Sequence, residues 1–246
     1  MVKKLTLIVI ILCSFFMCYA FAERLGPTMC NKDGYTCIVV QKGESWESLF
    51  PDANKRDIVM RVNRMNTRLY TGLKIAVPNN LGRENYMAES PFPQHTSSEE
   101  EHNAIVIKLG WQAFGAYNAD GELVKWGPIS AGHSWCEDVD RPCFTPVGSY
   151  IIYRKSDSDC VSSIYPITDG GGAPMPYCMF FHGGYALHGS PVLPGYHDSH
   201  GCIRMFTNDA RWLNEEFIGI NKTKVIIEAI NKYIYFFVGP GPYKNV

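Results

Sequence analysis

Two residue types able to do acyl-transfer chemistry stand near each other late in the chain. His188 lies in Ala186-Leu187-His188-Gly189, and Cys202 in Ser199-His200-Gly201-Cys202-Ile203-Arg204. A cysteine nucleophile needs a base, donors for the oxyanion and a group that recognises its substrate. His188 is the candidate base. A thiolate–imidazolium pair with it would lower the thiol pKa from about 8.5. The imidazole also needs a partner that fixes its tautomer. Gly189 has no side chain, so a backbone carbonyl must serve.

The oxyanion donors are expected from the backbone N–H groups of Gly201 and Cys202, because glycine permits the tight turn that exposes consecutive N–H groups. Tyr177 adds a hydroxyl or belongs to the core. His200 is a second donor or a wall of the site, and Ser199 opens the same turn. Arg204 lies two residues after Cys202 and shares its side of an extended segment. A guanidinium there can hold a substrate carboxylate with two parallel hydrogen bonds; otherwise it is an ordinary surface arginine. A zinc site built from His188, His197, His200 and Cys202 is the competing chemistry. Glycine at 201 argues against it, and no metal is expected.

Fourteen residues separate His188 from Cys202. That is too far for one helix face, so two neighbouring elements joined by a loop must bring them together. Pro191, Pro194 and Gly195 mark the loop. The surrounding text reads as strands. Residues 104–108, 113–117, 122–126, 149–154 and 224–228 carry strand-like apolar patterns, and Asn118-Ala119-Asp120-Gly121 signals a hairpin. Helical patterning appears only near 207–217, with Thr207 or Asn208 as its cap.

Further back, residues 36–78 form a separate small unit of the order strand-helix-helix-strand. A strand-like run ends at Lys42-Gly43-Glu44, and Ser45 caps a helix. A second helix is expected over 55–63. Leu73-Lys74-Ile75-Ala76-Val77-Pro78 is the closing strand. So small a unit buries little core by itself. Residues 79–101 read as a linker with prolines, serines and an acidic run at 99–101. Residues 231–246 form an apolar, then Gly/Pro-rich tail.

The chain has 246 residues, 46% of them hydrophobic, and a formal net charge of -1. This balance gives no electrostatic case for nucleic acid. Gly170-Gly171-Gly172 lacks the Lys-Ser/Thr of a phosphate loop, so no nucleotide cofactor is called for. At the N-terminus, Lys3 and Lys4 precede an apolar stretch over 5–19, and Ala20-Phe21-Ala22 fits a signal-peptidase site. Residues 1–22 are therefore read as a signal peptide. The competing reading is an uncleaved anchor, which would be the chain's one tie to a membrane.

Nine cysteines occur, two of them in that leader. The other seven are an odd number, so one thiol stays unpaired in an oxidising compartment. Cys30 with Cys37, Cys136 with Cys143 and Cys160 with Cys178 is the simplest pairing, and it leaves Cys202 free. Sequence alone does not prove this connectivity.

Two resemblances sharpen the reading. Val40-Gln41-Lys42-Gly43-Glu44-Ser45-Trp46, Val62-Asn63 and Gly72 to Pro78 resemble a LysM module, which implies glycan contacts through Gly43, Glu44 and Ser45. His188-Gly189 with Ser199-His200-Gly201-Cys202-Ile203-Arg204-Met205 resembles the signature of the YkuD family of L,D-transpeptidases. Ile129-Ser130-Ala131-Gly132, Thr145-Pro146-Val147-Gly148 and Met175-Pro176-Tyr177-Cys178 support it. The resemblance implies a mainly β fold. It places a YkuD-type β-sandwich or barrel-like catalytic domain over 102–230, behind a small N-terminal βααβ LysM-like domain.

It also implies a reaction on peptidoglycan stem peptides and glycan strands in the periplasm or cell envelope of a bacterium. Cys202 would attack a tetrapeptide stem and release D-alanine. The resulting thioester would pass to an amine on a second stem, giving a 3→3 cross-link. Water as acceptor gives L,D-carboxypeptidase activity, and some members use a protein amine. A non-catalytic wall-binding protein is the reading from another class. Gly189 stands where some members carry serine, which argues against a side-chain triad.

Overall fold

The computed structural model describes residues 24–82, 85–96 and 102–229. The signal-peptide reading, the acidic run and the C-terminal tail lie outside these residues. Among the described residues, no helix is long and apolar enough to cross a membrane.

The chain runs α1 (Leu25–Met29), β1 (Tyr35–Val39), α2 (Trp46–Leu49), α3 (Ala53–Val62) and β2 (Lys74–Pro78). It continues with β3 (Ala104–Lys108), β4 (Ala113–Tyr117), β5 (Leu123–Ser130), β6 (Gly148–Ile151) and β7 (Arg154–Lys155). Then follow β8 (Met179–His182), β9 (Tyr185–Gly189), β10 (Ile203–Met205), α4 (Thr207–Trp212) and β11 (Lys224–Glu228).

The βααβ unit forms where the sequence places it. The Ser45 side chain accepts from the Ser48 N–H, and Ser48 reciprocates in a capping box that starts α2. Asp52 caps α3 by accepting from the Lys55 N–H. β1 and β2 pair antiparallel, and Trp46, Val59, Met65, Leu73 and Ile75 fill the space beneath them.

The larger domain is one mixed nine-stranded sheet in the order β6-β11-β3-β4-β5-β10-β9-β8-β7. The fold is mainly β. Most neighbours are antiparallel, but β10 runs parallel to β9 and β11 runs parallel to β3. Parallel neighbours need a crossover rather than a hairpin. The one between β9 and β10 is the loop that the prolines mark. Phe114, Ile129, Ile152, Met179, Leu187, Ile203, Met205 and Leu213 form the core of this domain.

Some elements differ from expectation. β5 runs on to Ser130, eight residues, because its second half is buried throughout. The run at 149–154 divides into β6 and β7, which lie at opposite ends of the sheet. α4 has no side-chain cap: Phe206 stands at the cap position, and neither Thr207 nor Asn208 plays that part. A π-helical turn follows over Leu213–Phe217.

The small unit is docked on the sheet domain. Arg61 of α3 sends two N–H groups to the Asp209 carboxylate of α4, at 2.8 and 3.0 Å. A third bond reaches the Trp126 carbonyl at 3.1 Å, and Nε bonds Asp57 at 2.7 Å. Burial pulls the Arg61 pKa down, but the adjacent Asp209 charge and its hydrogen bonds more than offset this. Arg64 is also buried; it donates to the Trp111 carbonyl at 3.0 Å and lies over the Trp126 ring. Its burial lowers the guanidinium pKa to about 10, so it stays charged at neutral pH.

Candidate active site

β9 and β10 set the site. Their register pairs Ile203 with Leu187, Arg204 with His188 and Met205 with Gly189. Leu187, Ile203 and Met205 point into the core. Side chains alternate along a strand, so His188 and Arg204 share the opposite face, and Cys202 precedes β10 on that face. Cys202 packs against the buried cluster of Met175, Cys178, Phe180 and Ala186. Its Sγ lies 3.8 Å from the Gly184 carbonyl. It is the one free cysteine among the described residues, and it is half-buried. The other six form the bonds Cys30–Cys37, Cys136–Cys143 and Cys160–Cys178.

His188 is 5% exposed. Its Nδ1 lies 2.9 Å from the Gly189 carbonyl. With Nδ1–H donating there, Nε2 carries the lone pair. A side chain at Gly189 would be tight, since a Cβ would sit 3.0 Å from the Thr207 Cα. The carbonyl of this glycine thus does the orienting.

Protonation departs from expectation. Burial pulls the His188 pKa down to about 4, with the Arg204 charge adding to the fall against the Gly189 bond. Burial pushes the Cys202 thiol up, against smaller lowering effects of the Ala186 backbone and Arg204. A buried pair of groups is favoured in its neutral forms. The resting site is therefore thiol and imidazole, not the thiolate–imidazolium pair expected from the sequence.

The nucleophile turn is fixed from within. The Ser199 hydroxyl donates to the Cys202 carbonyl at 2.5 Å and accepts from the Gly201 N–H at 3.0 Å. The Gly201 carbonyl accepts from Thr145 Oγ1 at 2.7 Å, and Thr145 Oγ1 accepts from the Gly132 N–H at 2.9 Å. Gly201 has φ +120°, and a Cβ would come within 2.4 Å of the Tyr185 ring. The Gly201 N–H, expected to face an oxyanion, is thus occupied by Ser199. Of the two expected donors, the Cys202 N–H is left for that role.

Arg204 stands 3.6 Å from the Asp198 carboxylate. Tyr177 adopts a left-handed backbone, φ +58°, and packs partly buried against the main core. His200, read from the sequence as a second donor or a wall of the site, faces the neighbouring loops. Its Nε2 lies 2.8 Å from both Asp138 carboxylate oxygens, and its ring packs at a tilt against Tyr165, with centroids 4.2 Å apart. It joins the two disulfide-bonded loops, 133–144 and 157–178, over the site.

The four residues of the zinc alternative have separate partners. His197 accepts from the Ala131 N–H at Nδ1 and lies 3.0 Å from the Leu109 carbonyl at Nε2. Cys136, Cys143 and His200 do bring ligand atoms within 4.8 Å of one another, but the two sulfurs are bonded together and offer no thiolate. Gly43, Glu44 and Ser45 lie far along the chain in the turn before α2. There Gly43 has φ +88° and the Glu44 carboxylate accepts from the Gln41 N–H at 2.6 Å. Sequence reasoning missed Thr145, Asp138 and Tyr165. Thr145 sits in a motif already singled out, while nothing in the sequence distinguishes Asp138 from its acidic neighbours.

A half-buried free thiol just ahead of β10 and a buried imidazole on the adjacent parallel strand β9 supply the groups of a thiol–imidazole site. The family follows from comparison. The YkuD family model, the L,D-transpeptidase catalytic domain, matches residues 102–227, just over half of the chain. The chain belongs to the YkuD family of L,D-transpeptidases and carries an acyltransferase-type domain. An L,D-transpeptidase from Xylanimonas cellulosilytica DSM 15894 is 26% identical, with TM-score 0.50, over 65% of this chain and 74% of that one. An L,D-transpeptidase from Stackebrandtia nassauensis is 19% identical, with TM-score 0.44, over 58% of this chain and 62% of that one. Mycobacterium tuberculosis L,D-transpeptidase 1 is 22% identical, with TM-score 0.39, over 51% of this chain and 60% of that one. No curated protein matches the sequence.

Proposed function

We propose that the protein is an exported peptidoglycan L,D-transpeptidase that forms 3→3 cross-links through a thioester on Cys202. The observation that carries this reading is a free thiol just ahead of β10, with a histidine on the adjacent parallel strand β9 whose Nδ1 is tied to the Gly189 carbonyl, inside a YkuD domain. Three disulfides support an oxidising compartment. The βααβ unit, read as a LysM module, would hold glycan strands through the turn at Gly43, Glu44 and Ser45.

The chemistry starts from neutral groups. The Cys202 sulfur attacks the carbonyl of the third stem residue while His188 Nε2 takes the thiol proton. The Cys202 N–H stabilises the oxyanion. The peptide bond to the terminal D-alanine breaks, and its amine leaves with the proton from His188. An acceptor amine then gives its proton to His188, attacks the thioester and restores the thiol. Arg204 faces the same side and can pair with a stem carboxylate.

The test is mass spectrometry of the mature protein with disaccharide-tetrapeptide, wild type beside Cys202→Ala. Wild type is expected to release D-alanine and to carry the acyl mass on Cys202; the variant does neither. Cross-links formed by Cys202→Ala would end the proposal. A hydrolysed product without dimer would make the acceptor water.

A further inference from the structure

The loop that joins His188 to Cys202 has an unexpected support. Its two ends are held by the sheet domain. The Ser190 N–H donates to the Met205 carbonyl at 2.9 Å. The Tyr196 carbonyl accepts from Ser130, and His197 accepts from the Ala131 N–H. Its middle is different. Among the described residues, the hydrogen bonds that 191–195 make beyond Ser190 run to the N-terminal unit.

Asn66 makes half of them and adds one to Ser190. Its backbone N–H donates to the Leu193 carbonyl at 3.0 Å, its Oδ1 accepts from the Leu193 N–H at 2.8 Å, and its Nδ2 reaches the Ser190 carbonyl at 3.3 Å. Arg24 Nε donates to the Pro194 carbonyl at 3.0 Å, and its guanidinium lies over the Tyr70 and Tyr196 rings. The Leu25 N–H donates to the Gly195 carbonyl at 3.1 Å. Met65 bridges Pro194, and Leu193 is wholly buried. A loop with two prolines and a glycine would otherwise cross this surface with few bonds of its own.

We propose that the N-terminal unit is a positioning element of the thiol site, with Asn66 as the positioning residue. By fixing the 190–197 strap it sets how the His188 strand and the Cys202 turn lie relative to each other. The unit then acts on the chemical step whether or not it also holds glycan. The docking through Arg61 and Asp209 supplies the rigid base from which Asn66 works. A misplacement of reacting groups by about 1 Å can cost on the order of a hundredfold in rate, so a modest loosening of the strap is expected to be visible.

The proposal rests on Cys202 as the nucleophile, and two readouts separate the two ideas. The first is hydrogen–deuterium exchange over residues 199–204, which needs no substrate. The second is kcat and KM with disaccharide-tetrapeptide. Asn66→Ala is expected to speed exchange over 199–204 by about tenfold, to leave β3 and β4 unchanged, and to lower kcat about tenfold at constant KM. Asn66→Asp keeps the acceptor for the Leu193 N–H and is expected to restore both to within about threefold. A folded Asn66→Ala protein with wild-type exchange over 199–204 overturns the proposal. If Asn66→Ala does not fold, folded Arg24→Ala must show the faster exchange, and wild-type exchange there overturns it equally. An inactive wild type with these exchange differences would instead count against the proposed reaction.

Discussion

The two flanks of the thiol site are held by different physics. On one flank, the N-terminal unit meets α4 through buried charges: Arg61 on Asp209, with Arg64 nearby. On the other, the loops 133–144 and 157–178 expose Trp135, Phe144, Val161, Ile164 and Ile167, and each carries a disulfide. A loop that buries little apolar surface gains little from folding against its ordering entropy, so a cross-link takes the place of a core. Where two layers pack, buried polar groups can fix one arrangement, provided every one is paired. The contrast assigns the 190–197 strap to the first flank and the nucleophile turn to the second.

The largest expected effect lies at the buried pair. Asp209→Ala leaves Arg61 charged and buried without its main partner. The expected loss is about 3–5 kcal/mol of unfolding free energy, read from urea titrations at pH 7. Replacing both residues together, Arg61→Met with Asp209→Leu, should recover most of it, because the desolvation cost goes with the charges. The exposed pair Arg211 and Glu215, at 3.5 Å, gives the reference: Glu215→Ala is expected to cost under about 1 kcal/mol. A similar small loss for Asp209→Ala would erase the distinction between the flanks.

This asymmetry also decides what the sequence could reveal. The βααβ unit was legible because Lys42-Gly43 and Thr71-Gly72 punctuate it and Ser45 caps it. The nearness of His188 and Cys202 was legible because the loop prolines and the motif around Cys202 imply adjoining elements. Docking was not. Arg61 reads as a solvated charge on an amphipathic helix, and its partner lies 148 residues away. Strands β8 and β9 are short and largely buried, so they lack the alternation of a half-buried strand, and β10 has only three residues in which to show it. Protonation was misread for the same reason. A histidine near a cysteine suggests an ion pair, while burial, which no motif encodes, favours neutral groups.

The second effect in size concerns that burial. His188 has a folded pKa of about 4, against about 6.5 in an unfolded chain. Between these values the unfolded state binds more protons, so stability rises with pH across the window and falls as the solution is acidified through it. Above about pH 6.5 the residue contributes nothing to the pH slope. Below about pH 4 the whole penalty, at most about 3 kcal/mol, is present. His197, also lowered mainly by burial, acts in the same direction. His188→Gln is expected to shrink the loss of urea stability between pH 7 and pH 4.5. An unchanged loss would mean that His188 is not the buried neutral base of this site.

The smallest effects on stability allow the cleanest comparison, because two disulfides span equal distances. Cys30–Cys37 on the N-terminal flank and Cys136–Cys143 on the cleft flank each join residues seven apart. Loop-closure entropy then predicts the same cost for removing either, about 2.5 kcal/mol in the chain-entropy model. Activity should separate them. The Cys143 carbonyl lies where a Cβ on Gly132 would be, 1.8 Å away, and 3.5 Å from the Cβ position of Gly201. Loosening that loop frees Thr145 and the nucleophile turn that hangs on it. The double serine variant at 136 and 143 is therefore expected to lose about tenfold in turnover. The double serine variant at 30 and 37 should stay within about twofold, because Asn66 and the Arg61–Asp209 pair still hold the strap. Equal stability losses with unequal turnover would establish that one flank's cross-link serves the fold and the other's serves the turn. Equal turnover losses would place both flanks in one mechanical unit around the thiol.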